Sequence, residues 1–188
     1  MLMRGKSSPY GRPVTGLIDA GPVDPRHPPM TLRVNARRGT AAAYVQRLAS
    51  LGRGATAIGY FTHVWKPSYR QFGVPEENRR ALRRINDQIT RLAPALLADP
   101  ARREVAIEAT GGAKIDVMAR EHEGSLYLFA VNYDERQVTS EVTISLPGLS
   151  AGTEVVAVDE GRTIAAAAGS FTDAFDPLAV HIYRIDGP

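Results

Sequence analysis

At about Glu104 the pattern of the chain changes, and that break limits the folds open to it more than any other feature. From there to the end, segments of five to eight residues rich in Val, Ile, Tyr and Phe alternate with turn signals. Strands are expected near Val105–Ala109, Lys114–Arg120, Ser125–Asn132, Val138–Ser145, Glu154–Asp159, Thr163–Ala167, Ser170–Phe175 and Ala179–Arg184. Between them stand Gly111-Gly112, Glu123-Gly124, Asp134-Glu135, Pro147-Gly148, Glu160-Gly161, Ala168-Gly169 and Asp176-Pro177. About eight short strands at this spacing argue an antiparallel β-sandwich or barrel. No internal repeat is visible, and the only low-complexity tract is the alanine run 165–168.

Upstream the pattern is strand and helix in alternation. Residues 1–12 are polar and turn-rich, a loop or frayed end. Pro13 to Ile18 reads as a short strand, followed by a loop from Gly21 to Met30 that holds Pro22, Pro25, Pro28 and Pro29. Proline fixes φ and removes a donor, so this loop is irregular. Ala41, Tyr44, Val45, Leu48 and Leu51 give a helical stripe over about Val34 to Leu51, ended by Gly52 and Gly54. Ala55 to Thr62 is apolar on both faces, as a buried parallel strand should be. Pro75, Glu76 and Glu77 open a second helix at its positive end. Its stripe is Leu82, Ile85, Ile89, Leu92 and Leu96; Pro94 is expected to kink or restart its end, and Asp99-Pro100 to stop it.

Two strand–helix units cannot close a barrel, which needs about 200–250 residues. The expected fold class is therefore α/β plus all-β: residues 13–100 as the last two βα units of an incomplete TIM barrel, then residues 104–186 as a β-sandwich. The apolar faces of Val14–Ile18 and Ala55–Phe61 would lack neighbouring strands, so the chain is expected to self-associate.

Composition narrows the function classes. Residues 1–103 carry 18 Lys+Arg against 6 Asp+Glu, a balance of +12, while residues 104–188 carry 5 against 14, a balance of −9. The sign change fits two units of different character. Of the 23 basic residues 20 are arginine, scattered over helix faces without the aromatic–glycine pattern of an RNA-binding sheet, so no nucleic-acid partner is expected. Without cysteine there is no disulfide and no thiolate metal site, and the compartment stays open. No apolar run approaches the roughly 18 residues of a membrane span. Met1 to Pro13 has no apolar stretch behind its basic residues, so it is not read as a signal peptide.

Three segments carry a family resemblance. Gly54-Ala55-Thr56-Ala57-Ile58-Gly59-Tyr60-Phe61, after an Arg/Ala/Tyr-rich helix, resembles the seventh helix and eighth strand of β/α-barrel glycoside hydrolases. Asn86 to Leu97, with Ile89, Leu92, Ala93 and Pro94, is similar to the final barrel helix of such enzymes. Gly169 to Ile185, with the pattern Asp173-x-Phe175-x-Pro177-x-x-Val180-His181-x-Tyr183, resembles the last strands of the sandwich that follows the barrel. The resemblance implies a sugar-processing parent that hydrolyses O-glycosidic bonds. It makes Val14–Ile18 barrel strand seven, where a retaining enzyme keeps its nucleophilic glutamate, with the acid/base glutamate on strand four. Such a pair works at about 5–5.5 Å separation. Here strand four is missing, and the end of strand seven offers Asp19. The catalytic pair is incomplete, so this chain is not expected to be active alone.

The expected substrate-binding residues are Trp65, His63, Lys66 and Tyr69. Trp65, the only tryptophan, follows an apolar strand where barrel sites are built, and could stack on a sugar ring or pack under a loop. His63, two residues earlier, could bond sugar hydroxyls or end the strand as a satisfied histidine. Asp19 is the one catalytic candidate, against the commoner role of a cap or turn residue. Tyr60 reads as core. Asp24 and His27 lack further ligands for a metal site, so neither metal nor cofactor is expected. Gly52-x-Gly54 and Gly111-Gly112 lack the lysine and hydroxyl of a phosphate loop. Glu121, Glu123, Asp134 and Glu135 read as a solvated acidic edge. His181 and Tyr183 read as pointing outward from Val180 and Ile182, toward the barrel remnant. The competing class is a non-catalytic carbohydrate-binding or structural module, and a truncated gene product without function is a third.

Overall fold

The computed structural model describes residues 15–19, 57–61, 68, 76–134 and 139–187. The expected helix over 34–51 and the proline-rich loop lie outside these residues. The chain divides into two compact units, Met1–Arg91 and Leu92–Pro188.

In the first unit, β1 (Thr15–Asp19) and β2 (Ala57–Phe61) form a parallel pair, Thr15 opposite Ala57 through Asp19 opposite Phe61. Parallel strands require a long crossover between them, and the chain supplies residues 20–56 for it. The division between units falls within helix α1 (Glu76–Leu96). Glu76 sits in its first turn, where the helix dipole favours an anion, and holds Arg79 at 2.6 Å and Arg80 at 3.5 Å. The expected stripe is graded: Leu82, Ile85 and Ile89 are half-buried, whereas Leu92 and Leu96 are buried. Pro94 does not restart the helix, which runs through it to Leu96. So close to the end, proline removes only its own bond, and Leu97 N–H still reaches the Ala93 carbonyl at 2.9 Å.

The second unit is antiparallel. Its strands are β3 (Ala106–Ala109), β4 (Ile115–His122), β5 (Ser125–Asn132), β6 (Ser140–Ser145), β7 (Glu154–Ala157), β8 (Arg162–Ala165), β9 (Ser170–Phe175) and β10 (Val180–Asp186). They form a five-stranded sheet, β4-β5-β10-β7-β8, and a three-stranded sheet, β3-β6-β9. One core joins them: Leu126, Leu128, Ala130, Val155, Ala157, Tyr183 and Ile185 from the first, Val142, Ile144, Phe171 and Phe175 from the second. Phe171 meets Tyr183 edge-on between the sheets, ring centroids 4.9 Å apart. The β4–β5 hairpin closes on two residues, Glu123 at φ 48° and Gly124 at φ 77°. Left-handed backbone at both positions matches the twist of the flanking strands.

The middle of the five-stranded sheet is buried on both faces. Strand side chains alternate, so Met118, Phe129, Val131 and Ile182 face away from the shared core, yet they too are buried. This overturns the outward reading of His181 and Tyr183. Tyr183 is fully buried in the core, His181 lies on the same face, and Ile182 takes the other. The acidic edge is corrected as well: Asp134 is buried, its N–H bonded to Asn132 Oδ1 at 2.9 Å, while Glu121 and Glu123 are exposed. Glu135 lies outside the described residues.

Candidate functional site

A parallel pair places the C-terminal ends of both strands on one edge. Asp19 ends β1 and stands in register with Phe61, which ends β2. In sequence, His63 and Trp65 follow Phe61 by two and four residues. The register thus puts Asp19 and Phe61 at one edge of the pair, and such an edge is where β/α proteins build their sites. Of Asp19 only the strand position is described. His63, Trp65, Lys66, Tyr69, Asp24 and His27 lie outside the described residues. Tyr60 stands in β2 opposite Ile18.

A second set of functional groups gathers in the antiparallel unit. The Arg162 guanidinium, at the start of β8, forks onto Asp173 of β9: Nη1 donates to Oδ1 at 2.9 Å and Nη2 to Oδ2 at 2.6 Å. Its Nε donates to Glu160 Oε2 at 2.8 Å. Tyr183 hydroxyl donates to Asp173 Oδ2 at 2.7 Å, and Ala174 N–H to Oδ1 at 2.8 Å. His181 Nδ1 lies 2.6 Å from Glu160 Oε1, with its ring edge-on to Phe175 at 4.5 Å. Nδ1 also lies 3.3 Å from Arg162 Nη2, which only donates; in the shorter contact the carboxylate only accepts, so there Nδ1 is the donor.

Burial pushes the Asp173 carboxyl up, but hydrogen bonds from Arg162, Tyr183 and Ala174 N–H outweigh it and hold the group below its ordinary value. The bond to Asp173 raises Arg162 further, against the effect of burial. Burial first, and the Asp173 bond second, raise the Tyr183 phenol. A glycosidase acid needs a raised carboxyl, and Asp173 moves the other way. The arrangement ties sheet to sheet, Arg162 of β8 and Tyr183 of β10 both bonding Asp173 of β9. Sequence reasoning isolated Asp173, His181 and Tyr183 as a motif but missed Arg162 and Glu160. The available signal was Arg162 itself, one of 5 basic residues in an otherwise acidic half.

Among the described residues no group of three or more His, Cys, Asp or Glu is placed to hold a metal ion. No described helix is long and apolar enough to cross a membrane. An open depression of about 290 Å³ lies by the β4–β5 hairpin, lined by residues that include Arg103, Glu121, His122 and Glu123.

Comparison with known proteins gives two unlike results. Residues 23–64 match the family described as Methyltr_RsmF/B-like, ferredoxin-like domain, less than a quarter of the chain and largely outside the described residues. No curated protein matches in sequence. Among solved structures the fold is similar to glycoside hydrolases. An Anoxybacillus α-amylase aligns with TM-score 0.56 and 14% identity, over 82% of this chain and 35% of that one. The α-amylase of Geobacillus thermoleovorans, solved with acarbose, gives 0.56 and 13%, over 81% and 35%. A noncanonic maltogenic α-amylase from Thermotoga neapolitana gives 0.53 and 11%, over 95% and 42%. The chain therefore spans about a third to two-fifths of the length of the structures it matches. At such identity the likeness is one of fold.

Proposed function

We propose that this chain is the C-terminal part of a β/α-barrel glycoside hydrolase-like protein: β1 and β2 are its last two barrel strands, and the antiparallel unit is the β-sandwich appended to the barrel. The whole protein would hydrolyse O-glycosidic bonds. The observation that supports this reading is the likeness of fold to an α-amylase over 82% of the chain, which spans only 35% of that enzyme. The ferredoxin-like match touches too little of the chain to account for the eight antiparallel strands.

In this reading Trp65 stacks on a sugar ring, His63, Lys66 and Tyr69 bond its hydroxyls, and Asp19 stands at the strand end beside them. Two related solved enzymes were captured with acarbose or maltotriose, which makes an α-glucan oligosaccharide the first ligand to try. In this reading the chain supplies one wall of the cleft and the acid/base carboxylate belongs to strand four of the whole protein, so the chain alone binds without turnover. The self-contained core of the antiparallel unit also suits the non-catalytic alternative, a carbohydrate-binding or interaction module.

Trp65 is the only tryptophan, so its emission reports the proposed cleft alone. Titration with maltotriose should change that emission saturably, the change should be lost in His63→Ala, and no glucose or maltose should appear. No change up to tens of millimolar sugar would remove Trp65 from the cleft. Hydrolysis abolished by Asp19→Asn would show that the site is complete after all.

A further inference from the structure

β8 is a four-residue edge strand, bonded along one side to β7 and lying at the border of the five-stranded sheet. Its residues alternate between half-buried and exposed, so side-chain burial holds it weakly. At its far end, Ala166 N–H and carbonyl bond to Thr153 and Gly152 at 2.9 and 2.8 Å. At its near end, the side-chain bonds of Arg162 cross to Asp173 in the other sheet and back to Glu160 in the preceding turn. We propose that the Arg162–Asp173 fork is a releasable pin: with it closed, β8 and the turn before it are locked against β9, and with it open they detach locally while the rest of the antiparallel unit stays folded.

The geometry supports local release. β5 and β10 share seven residue pairs, Val180–Asp186 against Ser125–Val131, in the middle of the sheet, whereas β7 and β8 share four at its edge. Opening free energies rise from edges toward such centres. Two events open the same pin: loss of the Asp173 charge by substitution, or its protonation in acid. The groups facing Asp173 are Arg162 from β8, Tyr183 and the nearby His181 from β10, Glu160 from the turn and the Ala174 N–H. Of these Arg162 keeps its charge at any working pH, so the pin opens when the carboxylate is neutralised. The three donors on Asp173 hold it low and keep the pin closed down into the acid range.

Hydrogen exchange on the whole chain near neutral pH tests this in wild type, Asp173→Asn and Arg162→Gln. Amides of residues 158–165 should exchange on the order of tenfold to a hundredfold faster in both variants, the range set by hydrogen bonds to charged groups. Those of 125–132 should stay near wild type. Tyr183→Phe, which leaves the fork intact, should spare 158–165. Should Asp173→Asn fail to fold, Arg162→Gln carries the same reading. Equal acceleration across 125–132 and 158–165, or none in 158–165, would overturn the proposal, as would failure of both variants to fold. The test is independent of sugar binding.

Discussion

The parallel pair β1–β2 and the antiparallel unit solve the same problem with unequal means. Eight antiparallel strands bury two aromatic rings edge-on between their sheets, share one core and tie the sheets with charged hydrogen bonds. The described parallel sheet has two strands, and a strand needs neighbours on both sides to satisfy its backbone groups. The lesson is that antiparallel meanders become self-sufficient within about a hundred residues, whereas a parallel strand depends on many βα units at once.

The largest effect should come from the shared core. Phe171→Ala empties a site between the sheets and should destabilise the antiparallel unit by about 3–5 kcal/mol in denaturant unfolding. A smaller loss would mean that the two sheets are not one cooperative body. Next is Asp173→Asn, expected to lower the local opening free energy of residues 158–165, read by hydrogen exchange, by about 1.5–3 kcal/mol while residues 125–132 stay near wild type; the figure lies below that for a fully buried pair because the Arg162 side chain is 36% exposed. Its pH dependence has a definite sign. The folded Asp173 value lies below the ordinary 3.8, so its contribution is complete above that pH and disappears as pH falls through the folded value. The protection of residues 158–165 in wild type should therefore fall toward that in Asp173→Asn as acid is added. Tyr183→Phe, removing one buried donor, should cost about 1–1.5 kcal/mol. The smallest change is a gain: Glu123→Gly should stabilise the hairpin by about 0.5–1 kcal/mol, because φ 48° strains a side-chain-bearing residue.

Much of the antiparallel unit was legible. Ser125–Asn132 and Ser170–Phe175 were delimited to the residue, because a turn dipeptide bounds each at one end or more. The parallel direction of β1 and β2 followed from the length between them and their apolarity. The facing of β10 was misread for a physical reason. Apolar alternation marks the core only when one sheet face is wet, and here both faces are covered, so Val180 and Ile182 carried no directional information. The buried hydroxyl of Tyr183 needed an acceptor, and that acceptor came from a strand of the other sheet. Sheet order, with β10 between β5 and β7, is a long-range choice that no local pattern records. Of the sugar-site candidates only the strand position of Asp19 is described, at the end of β1 opposite Phe61.

The contrast between the two regions is tested most directly by light scattering coupled to size exclusion, with thermal melting, on residues 92–188 beside the whole chain. The account predicts that residues 92–188 run as a monomer with one cooperative transition while the whole chain self-associates. A whole chain that stays a monodisperse monomer and melts as a single unit would contradict it.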